Sequence, residues 1–392
     1  MTQVLERCAG YQRLRAQYAD RLGAARAAAA AGHRVIGRIG HTTPLEPILA
    51  AGCTPVTLAA DLQRATPRAD LHIDPELPAE TRALCEAALA GDYECLQLLI
   101  LTRPYDKLYY FLKELHRIGR APHLPPFTIH DLMHSRREAV RAYNRDRFQA
   151  LLKRLGREAL RPIDHASLTE AIGLTNAVRG LWRRLDAMRR DGRIRGTQAM
   201  QVIGAGLVMH PAAYAPALQA CVDTLASAPT AQAQAPSAAR VVLASSEPLQ
   251  HLALHDAVEC AGGFVVSEDD PWGARAGGDD IAVDADPFEA VLDKLWRDMP
   301  SPGVWPPAER EAWLRTEATR PAVDAVVLHV PPSDRLLGWD VPRLSRTLEG
   351  AGRAVVTVHH DVHTAEGRTA IVRDLAAFFD RLGKRGSQEI DR

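Results

Sequence analysis

The chain reads as an α/β protein: two doubly wound parallel-sheet domains with a helical segment between them. Short β-branched runs alternate with helical patterns at both ends of the chain, whereas His134 to Ala226 is nearly continuous helix. A stretch rich in Ala, Pro, Gln and Ser, Ser227 to Ala239, then marks a linker before the second alternating region begins. The division expected is 1–131 for an N-terminal α/β domain with a leading helix, 132–237 for a helical domain and linker, and 238–392 for a C-terminal α/β domain.

In chain order, Met1 to Ala31 is an Ala- and Arg-rich helix expected on the outside of the first domain. Val35 to Gly40 is a short buried strand, and His41-Thr42-Thr43 is the loop after it. Thr43 can N-cap a helix starting at Pro44, with Glu46 in the first turn, where a carboxylate suits the positive helix end. Gly52 stops that helix. Cys53 to Leu58 is a second β-branched run, so a parallel pair with a right-handed crossover is the default. Leu62 to Pro78 is a loop and Pro78 to Ala90 a helix containing Cys85. Cys95 to Thr102 is a continuous apolar run of the kind found in a central strand buried on both faces. Tyr105 to Ile118 is amphipathic, with Leu108, Phe111, Leu112 and Leu115 on one face, and Pro122 to Phe127 passes from strand to loop.

The helical middle divides into Arg136–Leu160, Asp164–Arg190, Thr197–Met209 and Ala212–Ala226. Leu168, Ile172, Leu181 and Leu185 form the apolar stripe of the second of these. Its basic residues Arg179, Arg183, Arg184, Arg189 and Arg190 read as a solvated face. Beyond the linker, Arg240–Ala244, Phe264–Ser267, Val323–Val330 and Ala354–Val358 are strands, and Leu249–Cys260, Val341–Gly350 and Thr369–Leu382 are helices.

Composition sets the outer bounds. A chain of 392 residues with 46% hydrophobic and 24% charged residues has room for two or three cores. Lys+Arg and Asp+Glu are both 48, so no global field draws nucleic acid or an anionic membrane. Cys8, Cys53, Cys85, Cys95, Cys221 and Cys260 are scattered, form no Cys-x-x-Cys pair and do not read as a disulfide framework. The charges at Glu6, Arg7, Arg13, Arg15, Asp20 and Arg21 are unlike a secretory leader, and no apolar run reaches bilayer-spanning length, so a cytoplasmic protein is expected.

In a doubly wound sheet the cleft lies beyond the carboxyl ends of the strands, which puts His41, Thr42, Thr43 and Glu46 at its mouth. Other chemistry-bearing groups carry less. His359-His360-x-x-His363 reads as cleft lining, His130 and His134 lack a third ligand, and Gly204-x-Gly206 has no strand before it and so is no dinucleotide fingerprint. Gly277-Gly278 reads as a turn.

Several short motifs, in shared order, resemble a subunit of the 2-hydroxyacyl-CoA dehydratase and benzoyl-CoA reductase family. They are Pro44-x-Glu46 followed by Ala50-x-Gly52-x-x-Pro55-Val56, Tyr143-Asn144, Asn176-x-x-Arg179, Glu259-x-x-Gly262, Glu268-Asp269-Asp270, Trp339-Asp340-x-Pro342, His360-Asp361 and Arg373. The resemblance covers most of the chain. It implies paired homologous subunits, each holding a [4Fe-4S] cluster on three thiolates between its two α/β domains, and a separate ATP-dependent activator that supplies single electrons. The acyl-CoA thioester would accept them as a ketyl radical, which needs a strongly reducing cofactor that no side chain replaces.

The chain departs from that pattern at the ligands. Cys85 stands where the first is expected, Thr102-Arg103-Pro104 where the second belongs, and Pro331, Pro332, Ser333 and Asp334 where the third belongs. Cys95 begins a strand and Cys260 sits on a helix. Two functions follow: a cluster-bearing acyl-CoA reductase or dehydratase subunit, or a clusterless companion supplying interface, activator docking or part of the CoA pocket. In the first, Cys85 is the metal ligand, His41 a proton donor or oxyanion partner, and Glu46 the carboxylate that orients it. Ser245-Ser246, a small polar pair between strand and helix, would offer N–H groups and hydroxyls to a thioester oxygen or phosphate.

Overall fold

The computed structural model describes residues 2–74, 76–103, 105–228, 238–297, 307–321, 323–334 and 336–390. Pro104 and most of the expected linker, 229–237, lie outside the described residues. Eight strands are present among the described residues: β1 Val35–Ile39, β2 Thr54–Thr57, β3 Leu98–Thr102, β4 Phe127–His130, β5 Ala239–Ser245, β6 Gly263–Glu268, β7 Ala325–His329 and β8 Ala354–Val358. They form two four-stranded, wholly parallel sheets of the same plan, in the orders β2-β1-β3-β4 and β6-β5-β7-β8. The winding therefore reverses between β1 and β3 in one sheet and between β5 and β7 in the other, and each reversal opens a crevice at the carboxyl ends.

The helices run α1 Thr2–Glu6, α2 Ala9–Ala19, α3 Gly23–Ala30, α4 Glu46–Ala50, α5 Ala79–Leu89, α6 Asp106–Arg117, α7 Glu138–Leu155, α8 His165–Arg190, α9 Gly196–Gly206, α10 Pro211–Ser227, α11 Ala253–Cys260, α12 Pro287–Arg297, α13 Ala308–Ala318, α14 Leu337–Gly350 and α15 Ala365–Ile390. No helix among the described residues is long and apolar enough to cross a membrane.

Three apolar clusters hold these layers. The largest joins one face of each sheet, through Ile39, Leu99, Leu101, Val241, Leu243 and Val327, to α2, α8, α9 and α10. A second covers the other face of the first sheet, where Ile36, Leu98 and Ile100 meet Ile48, Phe148, Leu168 and Ile172. Ile281, Val291 and Leu292 belong to it, so α12 packs on α7 and α8 although it lies beyond β6 in the chain. The third sets Val242, Phe264 and Leu328 against Leu314, Leu337 and Leu344.

Several elements differ from their sequence expectations. The leading segment is three helices, and α2 buries Tyr11, Leu14 and Tyr18 against α9 and α10 instead of riding on the outside. Alanine-rich composition hid those aromatic contacts. Thr43 does not cap α4, which starts at Glu46 after Leu45 with no side-chain cap. Arg38 is the reason: its Nη1 donates to the Thr43 carbonyl at 2.6 Å and draws the loop back over β1. Arg179 and Arg189 are buried, not solvated. Helix α11 begins at Ala253, because Leu252 adopts the left-handed conformation, φ 63°.

Candidate functional site

The floor of the first crevice is built from β1 outward. Arg38, buried on that strand, donates from Nε to Thr57 Oγ1 at 2.8 Å as well as to Thr43, and its pKa is pushed down to about 10 by burial. Gly40 follows at φ 90°, and a Cβ there would lie 1.9 Å from Thr102 Oγ1. Only glycine allows that approach, which lays the loop against the end of β3. Thr102 donates to the Ile39 carbonyl at 3.1 Å.

His41 leaves this turn half-buried, its ring edge-on to Trp272 with centroids 5.7 Å apart. Trp272 follows β6, so the carboxyl ends of the two sheets meet here. Burial, reinforced by the charge on Arg38, holds the His41 imidazole well below its ordinary pKa, and the ring is neutral at pH 7.

Glu46 is directed elsewhere. Its Oε1 accepts from Arg179 Nη2 at 2.5 Å and from Thr175 Oγ1 at 2.8 Å, tying α4 to α8. Burial opposes its ionisation, but Arg179 more than offsets this and lowers its pKa. The carboxylate is thus engaged by a guanidinium, and the hydrogen bonds it makes run to α8 and not to His41.

Tyr105, beside Gly40, and Arg21, beside Trp272, belong to groups that sequence reasoning passed over. Tyr105 donates to Glu80 Oε2 at 3.0 Å, and burial lifts the Glu80 carboxyl to about 7. Tyr18 and Arg21 both donate to the Gln250 carbonyl, and the Arg21 guanidinium lies 4.8 Å from the Tyr18 ring and 5.7 Å from that of Trp272. The N-terminal segment thereby clasps a loop of the second sheet. Trp272 had a usable signal, standing just past Glu268-Asp269-Asp270 at a strand end. Tyr18 had none beyond its helical phase.

At the second crevice, Ser245 and His329 end β5 and β7 and pair in register, with Oγ 3.0 Å from Nδ1. They line a small recess, with room for about one water molecule, together with Glu247, Leu249, His251 and His363. Ser246 is not beside them on a helix start, since α11 begins several residues later. Its buried hydroxyl lies near Asp334 without completing a hydrogen bond. Of the closing histidines, His363 reaches this recess and stacks edge-on with His251 at 5.6 Å.

The thiolate positions do not fit an iron–sulfur cluster. Cys85 is fully buried on α5, and burial pushes its thiol up to about 12, the condition of a neutral side chain packed in a core. Thr102 is bonded to Ile39, and Asp334 caps α14 by accepting from Leu337 N at 3.1 Å and Gly338 N at 2.8 Å. Among the described residues no three His, Cys, Asp or Glu side chains are grouped so as to hold a metal ion.

Two parallel sheets of identical strand order, meeting at polar carboxyl ends, define an α/β protein of paired parallel-sheet units. The chain belongs to the 2-hydroxyglutaryl-CoA dehydratase D-component family, whose model matches residues 41–382. None of the curated proteins compared with the chain matches it.

Proposed function

We propose that the chain is a companion subunit of a 2-hydroxyacyl-CoA dehydratase-type enzyme, contributing an acyl-thioester cleft and a protein interface but no cluster of its own. The observation that carries this is the state of the three ligand positions: a buried neutral thiol, a hydroxyl committed to a neighbouring strand, and a helix-capping carboxylate. Family membership supports the enzyme system, and the D-component name supports the existence of a partner. The partners proposed are a homologous cluster-bearing subunit and an ATP-dependent activator.

In this reading His41 is an electrophilic donor. A neutral imidazole at the end of β1, kept neutral by burial and Arg38, can donate its ring N–H to the thioester carbonyl oxygen as negative charge gathers there. It is a poor source of a full proton, since its charged form is disfavoured. Trp272 fixes the ring plane, and Glu46 acts at a distance by holding α4, and with it the His41 loop, against α8.

Reconstitution tests the proposal. The purified chain alone should not turn over a 2-hydroxyacyl-CoA, whereas adding a cluster-bearing subunit with its activator and ATP should give turnover that depends on this chain. Turnover by the chain alone, or full turnover without it, would contradict the assignment.

A further inference from the structure

Two of the six cysteines, far apart in the chain, are brought together by helix packing. Cys8 is the N-cap residue of α2, and Cys221 lies within α10. The two helices approach closely at this point: a Cβ on Gly10 would lie 2.6 Å from the Ala217 carbonyl oxygen and 3.1 Å from the Ala220 Cβ. Ala217, Ala220, Cys221 and Thr224 recur at intervals of three and four or less, so they share the face of α10 that lies under the start of α2. On that face the Cys8 thiol is hydrogen-bonded to the Cys221 thiol and to the Thr224 side chain. No disulfide joins the two sulfurs, and both cysteines are free.

The two thiols differ in chemistry. Burial opposes ionisation of Cys8, but the Thr224 side chain, the Tyr11 and Gly10 N–H groups in the first turn of α2 and the Cys221 thiol outweigh it and hold the pKa below the ordinary 9.0. At Cys221 burial prevails, and the charge Cys8 would carry adds to it, so that thiol is pushed up. Cys8 is 9% exposed and Cys221 is sealed, so a reagent from solvent meets Cys8 first, and only a small one reaches it. Two cysteines that merely filled a gap would behave as small apolar side chains. An attacking thiolate at a helix start with a neutral thiol in contact is instead the arrangement of a peroxide-sensitive cysteine and its resolving partner.

We propose that Cys8 and Cys221 are a reversible redox pair that hydrogen peroxide closes to a disulfide, fastening the N-terminal helices to α10. The Cys8 thiolate attacks one peroxide oxygen, the O–O bond breaks, and hydroxide leaves and takes up the proton that Cys8 released, giving water and a sulfenic acid on Cys8. The Cys221 sulfur then attacks the Cys8 sulfur. The S–S bond forms, the S–O bond breaks, and the hydroxyl leaves with the Cys221 proton as a second water. The two thiols give up two electrons and the peroxide accepts them. A dithiol reductant reverses the change by thiol–disulfide exchange. The bond would act beyond its own helices, because α2 leads directly into Tyr18 and Arg21, which hold the Gln250 carbonyl beside the second sheet.

The test is oxidation of the full, reduced chain with hydrogen peroxide, read by intact mass and by peptide mapping without reductant. A linked Cys8–Cys221 peptide and a loss of about 2 Da, the two thiol hydrogens, are expected, both undone by dithiothreitol. In Cys221→Ala the reaction should stop at the sulfenic acid, captured on Cys8 by dimedone, whereas in Cys8→Ser the Cys221 thiol should stay reduced. In case Cys221→Ala does not fold, the native chain oxidised in the presence of dimedone gives the same reading, with an adduct on Cys8 formed at the expense of the linked peptide. Hydrogen exchange of the α2 amides should slow at least ~10-fold on oxidation, a modest effect for a cross-link. Both thiols intact while Cys260, the exposed cysteine, is oxidised, a linkage between other cysteines only, capture on Cys221 in place of Cys8, or unchanged exchange in α2 would overturn the proposal.

Discussion

His41 shows how far a single position can be read in advance. A β-branched run ending in Gly-His, followed by a proline-led helix, places a side chain at the carboxyl edge of a parallel sheet, and the structure has it there. Its neutral state was not legible, because Arg38 bends back onto the loop and Trp272 comes from the other sheet. If a neutral His41 polarises the thioester, His41→Ala should lower turnover of the reconstituted complex by ~10²–10³-fold, the usual cost of removing one oxyanion donor. The thermal midpoint should stay close to that of the native chain. Unchanged turnover would end the role, and a collapsed midpoint would show the ring to be structural.

Glu80 offers a second test at this scale. Its folded pKa of about 7 exceeds the ordinary 4.5, so the folded state holds an extra proton between those values. The associated stability is full below about 4.5 and is lost as pH rises through about 7. Glu80→Gln removes the titration. The variant should match the native chain at pH 5 and exceed its stability by roughly 1–2 kcal/mol at pH 8.5, a figure discounted for the partial exposure of the carboxyl. Thermal midpoints of both proteins at the two pH values decide the matter, and equal midpoints at pH 8.5 would contradict it.

Among the elements, α8 is the instructive case. Leu168, Ile172, Thr175, Arg179, Trp182, Leu185 and Arg189 are all buried on it. Their spacing of three and four places Arg179 and Arg189 on the buried stripe, so the signal was present but was outweighed by the reading of arginine as a surface residue. What the stripe could not disclose was the partners. Arg189 donates from Nε to the Val265 carbonyl at 3.0 Å and from Nη1 to Glu268 Oε1 at 3.0 Å, and His255 Nε2 lies 3.3 Å from Glu268 Oε2, all fully enclosed. Although burial opposes ionisation, Arg189 holds Glu268 down at about 2. Replacing one partner leaves a buried charge alone, so Glu268→Gln should cost ~3–5 kcal/mol at pH 7, measured by urea unfolding. The native advantage should fade as pH falls from the ordinary 4.5 toward about 2. A loss below 1 kcal/mol at pH 7 would show that the pair does not fasten α8 to β6.

For the molecule as a whole, the two sheets were legible because parallel strands buried on both faces read as continuous apolar runs. Val35 to Gly40, Cys95 to Thr102 and Val323 to Val330 all became strands at their sheets' centres. Long-range packing was not legible. Nothing local indicates that α12 lies on α7 and α8, or that Tyr18 and Arg21 hold the Gln250 loop, since each contact joins segments far apart in the chain. The same limit applies to the metal question: the sequence shows which thiols are absent, but only packing shows that Cys85 is sealed in a core.

That sealing makes iron content the direct measure of whether this chain carries a cluster. The chain should be purified anaerobically, alone and after reconstitution with its partner subunit, with iron and acid-labile sulfide determined on each separated polypeptide. This chain should retain neither above background while the partner does, and Cys85→Ser should leave both values unchanged. About four iron and four sulfide per chain on this polypeptide, the content of one [4Fe-4S] cluster, lost in Cys85→Ser, would contradict it.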